Sequence, residues 1–329
     1  MKGEHMDENV LVIGGSSLFG RYLTPLLLKE GYNVTATAYK DGDEICPEKT
    51  EKFTGSHEGI NWIYMDVLDP ESIKNALSGL RPSYIFDLAV QNSVGYAWKD
   101  PGSTVDINVT GAINLFEAVR NTDDYTPRII MAGSGEEYGR VYFDMMPISE
   151  ELQPVPNNIF ASSKVCQALL ANIYFRAYGM DIITIRTFNE IGPGMSSRFS
   201  VSDFCRQFAR AAKEGLEEFI LHAGNVNIER DYTDVRDLAD AMFLAAKKGK
   251  AGEIYNAGAG HAVPIKRITD ILSDITGIKA LISSDLSRIR PVDTPKFEAD
   301  SSKLIKDTGW KKNYELEDTI KDMFSFYAG

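Results

Sequence analysis

Cysteine, histidine and positive charge are all in short supply in this chain. Its three cysteines, Cys46, Cys166 and Cys205, are far apart, odd in number and free of any Cys-x-x-Cys spacing. That pattern excludes a disulfide framework and a thiolate metal site, and reads as three reduced thiols in a reducing compartment. Four histidines, His5, His57, His222 and His261, form no ligand pair, so no metal is expected. Lysine and arginine total 35 against 47 acidic residues, a formal net charge of −12. A nucleic-acid partner wants a basic face, so that class is set aside, although local arginines can still focus a small anion. No apolar run approaches the length that spans a bilayer, and Met1 to Met6 carry no apolar signal core. The expectation is a cytoplasmic protein without a membrane partner.

The composition that remains is globular: 43% hydrophobic and 25% charged residues over 329 positions, enough for one large or two ordinary domains with an ample core. Asn9-Val10-Leu11-Val12-Ile13 reads as a buried strand, followed by Gly14-Gly15-Ser16-Ser17-Leu18-Phe19-Gly20 and a helical pattern through Leu23, Leu26, Leu27 and Leu28. Strand, glycine turn and helix make the context of a dinucleotide site, with the pyrophosphate over the helix start. An ordinary strand–helix turn is the alternative. The next strand, Tyr32 to Thr37, ends without the acidic residue that would favour NAD. Lys40 follows, where it can accept a 2′-phosphate, a lean toward NADP within an NAD(P) reading; a solvated lysine is the alternative. Asp41 to Gly59 reads as loop. Trp62 to Asp69 reads as strand then turn, with Asp69 placed to cap a helix opened by Pro70.

Tyr84 to Ala89 is another buried run, and Ile107 to Gly111 lies in a helical pattern with Leu115, Phe116 and Val119. Arg128 to Ala132 is a further strand, and Val165, Leu169, Ile173 and Ala177 recur at roughly helical spacing. Ser134 and Glu136 therefore stand just past the carboxyl end of a strand, and Lys164 in the first turns of a helix. In an open parallel sheet, ligands bind at the carboxyl ends of the strands. The β/α alternation up to Ile185 gives a doubly wound parallel α/β sheet, a dinucleotide-binding domain over residues 7–185. Beyond Gly194 the alternation loosens, which reads as a smaller C-terminal α/β substrate lobe over 186–329, with some chain crossing between the two.

Ser134-Gly135-Glu136-Glu137-Tyr138-Gly139 and Asn158-Ile159-Phe160-Ala161-Ser162-Ser163-Lys164 resemble an extended short-chain dehydrogenase/reductase of the NAD-dependent epimerase/dehydratase family. The likeness covers Val10 to about Phe326, is strongest toward the GDP-sugar dehydratase and reductase members, and implies a Rossmann fold. It also implies that Gly14, Ser16, Ser17, Leu18, Phe19 and Gly20 hold a nicotinamide dinucleotide. Gly14 and Gly20 match the ends of Gly-x-x-Gly-x-x-Gly, while Ser17 replaces the middle glycine. Asp66 would bond the adenine amine beside Val67. Leu88 and Ala89 would precede the loop over the cofactor, which continues through Gln91 toward the sugar.

Thr184 to Gly194 is similar to the segment that brings Asn189 to the substrate diphosphate. Glu229 to Asp237 would bring Arg230 to a phosphate, with Asp234 and Asp237 capping the next helix. Ile289 to Asp293 would bring Arg290 to the nucleotide. The family carries Tyr-x-x-x-Lys with the tyrosine as acid/base. Here the lysine is Lys164 and position 160 is phenylalanine. A phenyl ring has no proton to give, and a positioned acid/base group is worth about 10²–10⁴ in rate. The expected activity is hydride transfer at C4 of a nucleotide sugar, most like a GDP-4-keto-6-deoxy-sugar 4-reductase. Ser134 would bond the C4 oxygen and Glu136 would be the remaining proton-handling group. A 4,6-dehydratase or epimerase, or a catalytically impaired binding protein on this scaffold, is the alternative. The same resemblance implies a homodimer through helices beginning near Val105 and Ala161.

Overall fold

In the computed structural model, residues 8–38, 48–285 and 294–329 are described. A seven-stranded sheet forms from β1 (Asn9–Ile13), β2 (Asn33–Ala38), β3 (Asn61–Tyr64), β4 (Tyr84–Asp87), β5 (Arg128–Ser134), β6 (Ile182–Thr187) and, much later in the chain, β11 (Ile254–Ala257). Its order is β11-β6-β5-β4-β1-β2-β3, and every pairing is parallel. Side chains alternate across such a sheet, and parallel sheets are covered on both faces. In β1, Val10 and Val12 pack with α1 (Leu18–Lys29) and α9 (Val235–Lys248) through Leu23, Leu27, Leu238 and Met242. Leu11 and Ile13 point the other way, to α3 (Pro70–Leu80) and α6 (Gly111–Arg120), meeting Ile73, Leu77, Leu115 and Phe116. The unbroken apolar run of β1 is thus the signature of a strand with two cores.

Three smaller sheets build the second lobe. β7 (Glu190–Ile191) pairs with β10 (Thr233–Asp234); β8 (Glu218–Ala223) pairs with β13 (Lys279–Ser284); β9 (Glu229–Asp231) lies between β12 (Ala262–Pro264) and β14 (Lys296–Phe297). The helices α8 (Ser200–Lys213), α10 (Ile265–Thr276) and α12 (Leu316–Ala328) pack around them on Phe204, Phe208, Leu221, Ile268, Leu272, Ile320 and Met323. Buried Asp231 accepts the amides of Ala259, Gly260 and Ala299, and so ties two loops to β9. The remaining helices are α2 (Glu48–Thr54), α4 (Val94–Ala97), α5 (Pro101–Val105), α7 (Ile159–Tyr178) and α11 (Ser302–Thr308). Among the described residues no helix is long and apolar enough to cross a membrane, and no cluster of side chains could hold a metal.

Several local expectations change. Within the stretch read as loop, Glu48 to Thr54 is helical; its only large apolar side chain, Phe53, packs against the first core, too weak a periodicity to see in sequence. Asp69 does cap α3, and Asp234 caps α9. Asp237 does not act as a cap. It is buried and accepts the amides of Asn313 and Tyr314, while its carbonyl takes the Trp310 indole N–H, so it anchors the C-terminal tail. The apolar positions noticed in α7 face outward: Leu169 is 61% and Ile173 55% exposed, whereas Phe160, Lys164, Gln167 and Ala168 face the protein.

Candidate active site

The first wall of the site is the turn after β1. Gly14 adopts φ +77°, and a Cβ there would lie 2.9 Å from the Leu88 carbonyl, so the close approach of the β1 and β4 turns demands glycine. At Gly20 a Cβ would sit 2.5 Å from the Gly15 oxygen, which is how tightly the first turn of α1 rests on the strand end. Ser17, in place of the middle glycine, is the N-cap of α1, its Oγ accepting the Gly20 amide at 3.1 Å. Helix geometry leaves the amides of Leu18 and Phe19 without intrahelical acceptors, and both residues line the cavity beside Ser17. The turn therefore fits an anion such as a pyrophosphate, with the Ser17 hydroxyl strengthening the helix end that would hold it.

Asp66 stands after β3, where its Oδ1 accepts the Leu68 amide at 2.9 Å. Val67 packs where a Cβ on Gly111 would meet it. Leu88 is buried after β4, and the Ala89 amide donates to Asp87. Gln91 departs from its expected role. Its amide group is spent on Ser93 and Thr104, and Asn92 and Ser93 line the cavity instead. Asn108, fully buried on a widened helical turn (Asp106–Thr110), holds this loop by bonding the Gln91 backbone in both directions and donating to Ser163. Lys40 and Arg290 lie outside the described residues.

The chemical centre is where β5, β6 and α7 meet. Ser134 pairs with Thr187 across β5 and β6. Its Oγ accepts the Glu136 amide at 3.2 Å, and its own amide donates to Glu137 at 2.9 Å, a reciprocal cap that fixes the strand end. Glu137 is fully buried and pairs with Arg186 at 2.7 Å. Glu136 is half-buried and accepts from Asn158 at 3.3 Å; Asn158 in turn caps α7 by accepting the Ala161 amide. Two residues into α7, Phe160 packs its ring on Val94 and Ala97 of α4 and still lines the cavity. One turn on, Lys164 is buried and donates to the Ala132 carbonyl and to Gln167. Burial pulls its ammonium below the usual lysine value, opposed by Glu137, Asp87 and Glu190.

These groups share one cavity of about 920 Å³ with Asn189, Arg230, Lys99, Arg198 and Arg206. Asn189 takes φ +21°, which asparagine tolerates, and its carbonyl accepts the Thr233 amide at 3.3 Å. Arg230 is buried, with Nη1 donating to the carbonyls of Glu229 and Thr294 at 2.8 Å and its guanidinium over the Phe297 ring. Five lysines and arginines against three carboxylates line the cavity of a chain carrying −12 overall, so the site concentrates an anion that the rest of the surface repels. Sequence reasoning missed two titratable groups near Lys164. Burial raises Asp87, at the end of β4, to about 6 against the pull of Lys164 and the Ala89 amide. Burial likewise raises Glu190, on β7, to about 7 against Lys164. Glu190 stood beside Asn189 in the segment already singled out, but nothing in the spacing marked it.

A parallel sheet in this order, a glycine turn over α1, and serine and lysine at the ends of β5 and α7 define an extended short-chain dehydrogenase/reductase. The chain belongs to the GDP-mannose 4,6 dehydratase family, whose model matches residues 11–323. A GDP-6-deoxy-D-mannose reductase of Pseudomonas aeruginosa is 31% identical over 260 residues, covering 79% of this chain and 84% of that protein. GDP-mannose 4,6 dehydratase 1 of Arabidopsis thaliana is 27% identical over 322 residues, covering 95% and 88%. Among solved structures, RMD from Pseudomonas aeruginosa complexed with NADPH aligns with a TM-score of 0.83 at 27% identity over 99% of both chains. A UDP-glucose 4-epimerase of Thermus thermophilus, in complex with NAD, aligns at 0.83 with 25% identity over 98% and 99%.

Proposed function

We propose that this protein is a nucleotide-sugar reductase that uses a nicotinamide dinucleotide, with NADP preferred, to reduce the C4 ketone of a GDP-4-keto-6-deoxy sugar. The observation that carries this reading is the convergence of the Ser134, Lys164 and Phe160 cluster with Asn189 and Arg230 in one cavity that begins at the start of α1. The cofactor supplies the hydride. The α1 turn holds its pyrophosphate, Lys164 orients its ribose, and Leu88 and Ala89 border its path. Ser134 bonds the C4 oxygen. Arg230 and Asn189 hold the substrate diphosphate, because a guanidinium matches phosphate geometry better than a lysine does. The likeness to a GDP-6-deoxy-D-mannose reductase supports the reaction, and the likeness to a solved structure complexed with NADPH supports the NADP preference.

Phe160 bears on the choice of reaction. A dehydratase must move protons at C5 and C6 as well as C4, whereas a reductase needs a single proton for one alkoxide, so loss of the phenol is tolerated better by the reductase. The same phenylalanine favours the second reading, a binding protein on this scaffold. The test is to supply a GDP-4-keto-6-deoxy sugar with NADPH or NADH and follow cofactor oxidation, alongside GDP-mannose with the oxidised cofactor. Reduction of the 4-keto sugar is expected. Dehydration of GDP-mannose instead, or tight ligand binding without turnover of either, overturns the reductase.

We place the protein in the cytoplasm and propose that it is a homodimer. Val105 on α5 and Leu169 and Ile173 on α7 expose an apolar face that a second copy would cover.

A further inference from the structure

The site keeps the lysine of an acid/base pair without its phenol, so the proton for a new alkoxide needs another source. Three carboxyls stand around Lys164: Asp87, Glu137 and Glu190. Glu137 is consumed by Arg186 and by the Ser134 amide. Asp87 accepts the Ala89 amide and does not reach the cavity surface. Glu190 alone of the three lines the cavity, on the same wall as Asn189 and opposite no basic partner but Lys164. Among the described residues its carboxyl accepts no hydrogen bond. Its backbone is fixed by the β7–β10 pairing, Glu190 with Thr233 and Ile191 with Asp234. Among the described residues, the other ionisable groups around it include Glu136 after β5, the Asp234–Arg236 pair at the start of α9, closed at 2.7 Å, and Lys99, Arg198, Asp203, Arg206 and Arg230 in the shared cavity.

We propose that Glu190 is the proton donor to the C4 oxygen of the substrate, doing from β7 what a phenol at position 160 would do from α7. This role rests on the reductase reading above. The C4 carbonyl carbon takes a hydride from the reduced nicotinamide, the carbonyl π pair moves onto oxygen, and the Glu190 carboxyl gives its proton to that oxygen. The carboxylate left behind faces the Lys164 ammonium and is reprotonated from water. Burial holds this carboxyl protonated up to about pH 7, so an acid is available where an ordinary glutamate would already be ionised. Glu136 already accepts from Asn158.

The experiment compares the parent with Glu190→Gln. Unligated protein carrying ¹³C-labelled glutamate is titrated by NMR, and one carboxyl resonance is expected to titrate near neutral pH in the parent and to vanish in the variant. Calorimetry is expected to show unchanged affinity for NADPH and for GDP. Turnover of the 4-keto sugar is expected to fall by about 10²-fold or more, and adding Phe160→Tyr to the variant is expected to restore it and to move the pH profile to that of a phenol. If Glu190→Gln fails to fold, Glu190→Asp carries the test, retaining the titration while turnover falls. A variant as fast as the parent, or the absence of the titrating resonance from the parent, overturns the proposal. A parent that binds NADPH but reduces no 4-keto sugar sinks the reductase reading and the donor role with it, whereas a working parent matched by Glu190→Gln sinks the donor role alone.

Discussion

Replacing Glu137 by alanine should be among the most damaging single changes in the chain, although this residue touches no ligand. Its carboxylate is fully buried and accepts from the Ser134 amide at 2.9 Å and from Arg186 Nε at 2.7 Å. Arg186, only 5% exposed, also donates to the Tyr138 hydroxyl at 3.0 Å. That hydroxyl donates to Asn256 at 2.8 Å, and Asn256 donates to the Ile148 carbonyl at 2.9 Å. One carboxylate thus anchors a line running from the end of β5 through β6 to β11. Removing it strands a buried guanidinium, and breaking a buried pair in this way costs about 3–5 kcal/mol. Glutamine does not rescue fully, because with its oxygen toward Arg186 its NH₂ opposes the Ser134 N–H. Urea unfolding of Glu137→Ala should show the midpoint falling at unchanged slope, by that loss divided by the slope. The double change Glu137→Leu with Arg186→Met should recover most of it, since a packed apolar pair is often neutral relative to a buried ion pair. A single-variant loss below about 1 kcal/mol, or a double variant as unstable as the single, refutes the account.

Three further outcomes are expected. Arg230→Ala should weaken GDP binding by about 1.5–3 kcal/mol, roughly 10–150-fold, by loss of a charge-assisted contact; unchanged affinity for both GDP and UDP by calorimetry would show that Arg230 holds no phosphate. Leu169→Glu with Ile173→Glu should convert a sedimenting dimer into a monomer of 36.5 kDa, and a parent already monomeric at micromolar concentration rules the dimer out. Glu190 is raised from 4.5 to about 7 on folding, so the stability associated with its protonation is present below pH 4.5 and is lost as pH rises through 7. Glu190→Gln should therefore gain stability over the parent by about 1–3 kcal/mol on going from acid to pH 8, measured by unfolding at each pH, and a gain in the opposite direction contradicts the buried carboxyl.

Much of this could be read from the chain because its dominant signals are local. The runs Val10–Ile13 and Ile129–Met131 are apolar at every position, since each strand is buried on both faces. Ser134 and Lys164 declared themselves through their place after a strand and within a helix. What stayed hidden depends on contacts between distant segments. Gln91 looked like a ligand until Thr104 took its amide. Asp237 looked like a cap until the tail folded onto it. Glu190 looked like any glutamate, because only tertiary burial near Lys164 changes its acidity. In α7, periodicity gave the helix but not which side faced solvent, since its apolar residues lie all around it.

The late arrival of β11 has a consequence for the chain as it is made. Positions 188–253, 66 residues, separate β6 from the strand that covers its edge. At synthesis rates of about 5–20 residues per second, the edge of Ile182–Thr187 waits roughly 3–13 seconds for its partner. During that interval a strand with unpaired amides stands at the border of a nearly finished sheet, the kind of edge that recruits strands from neighbouring chains. A nascent chain stalled before Ile254 would carry the whole glycine turn, Ser134 and Lys164, yet its sheet would end in an adhesive edge.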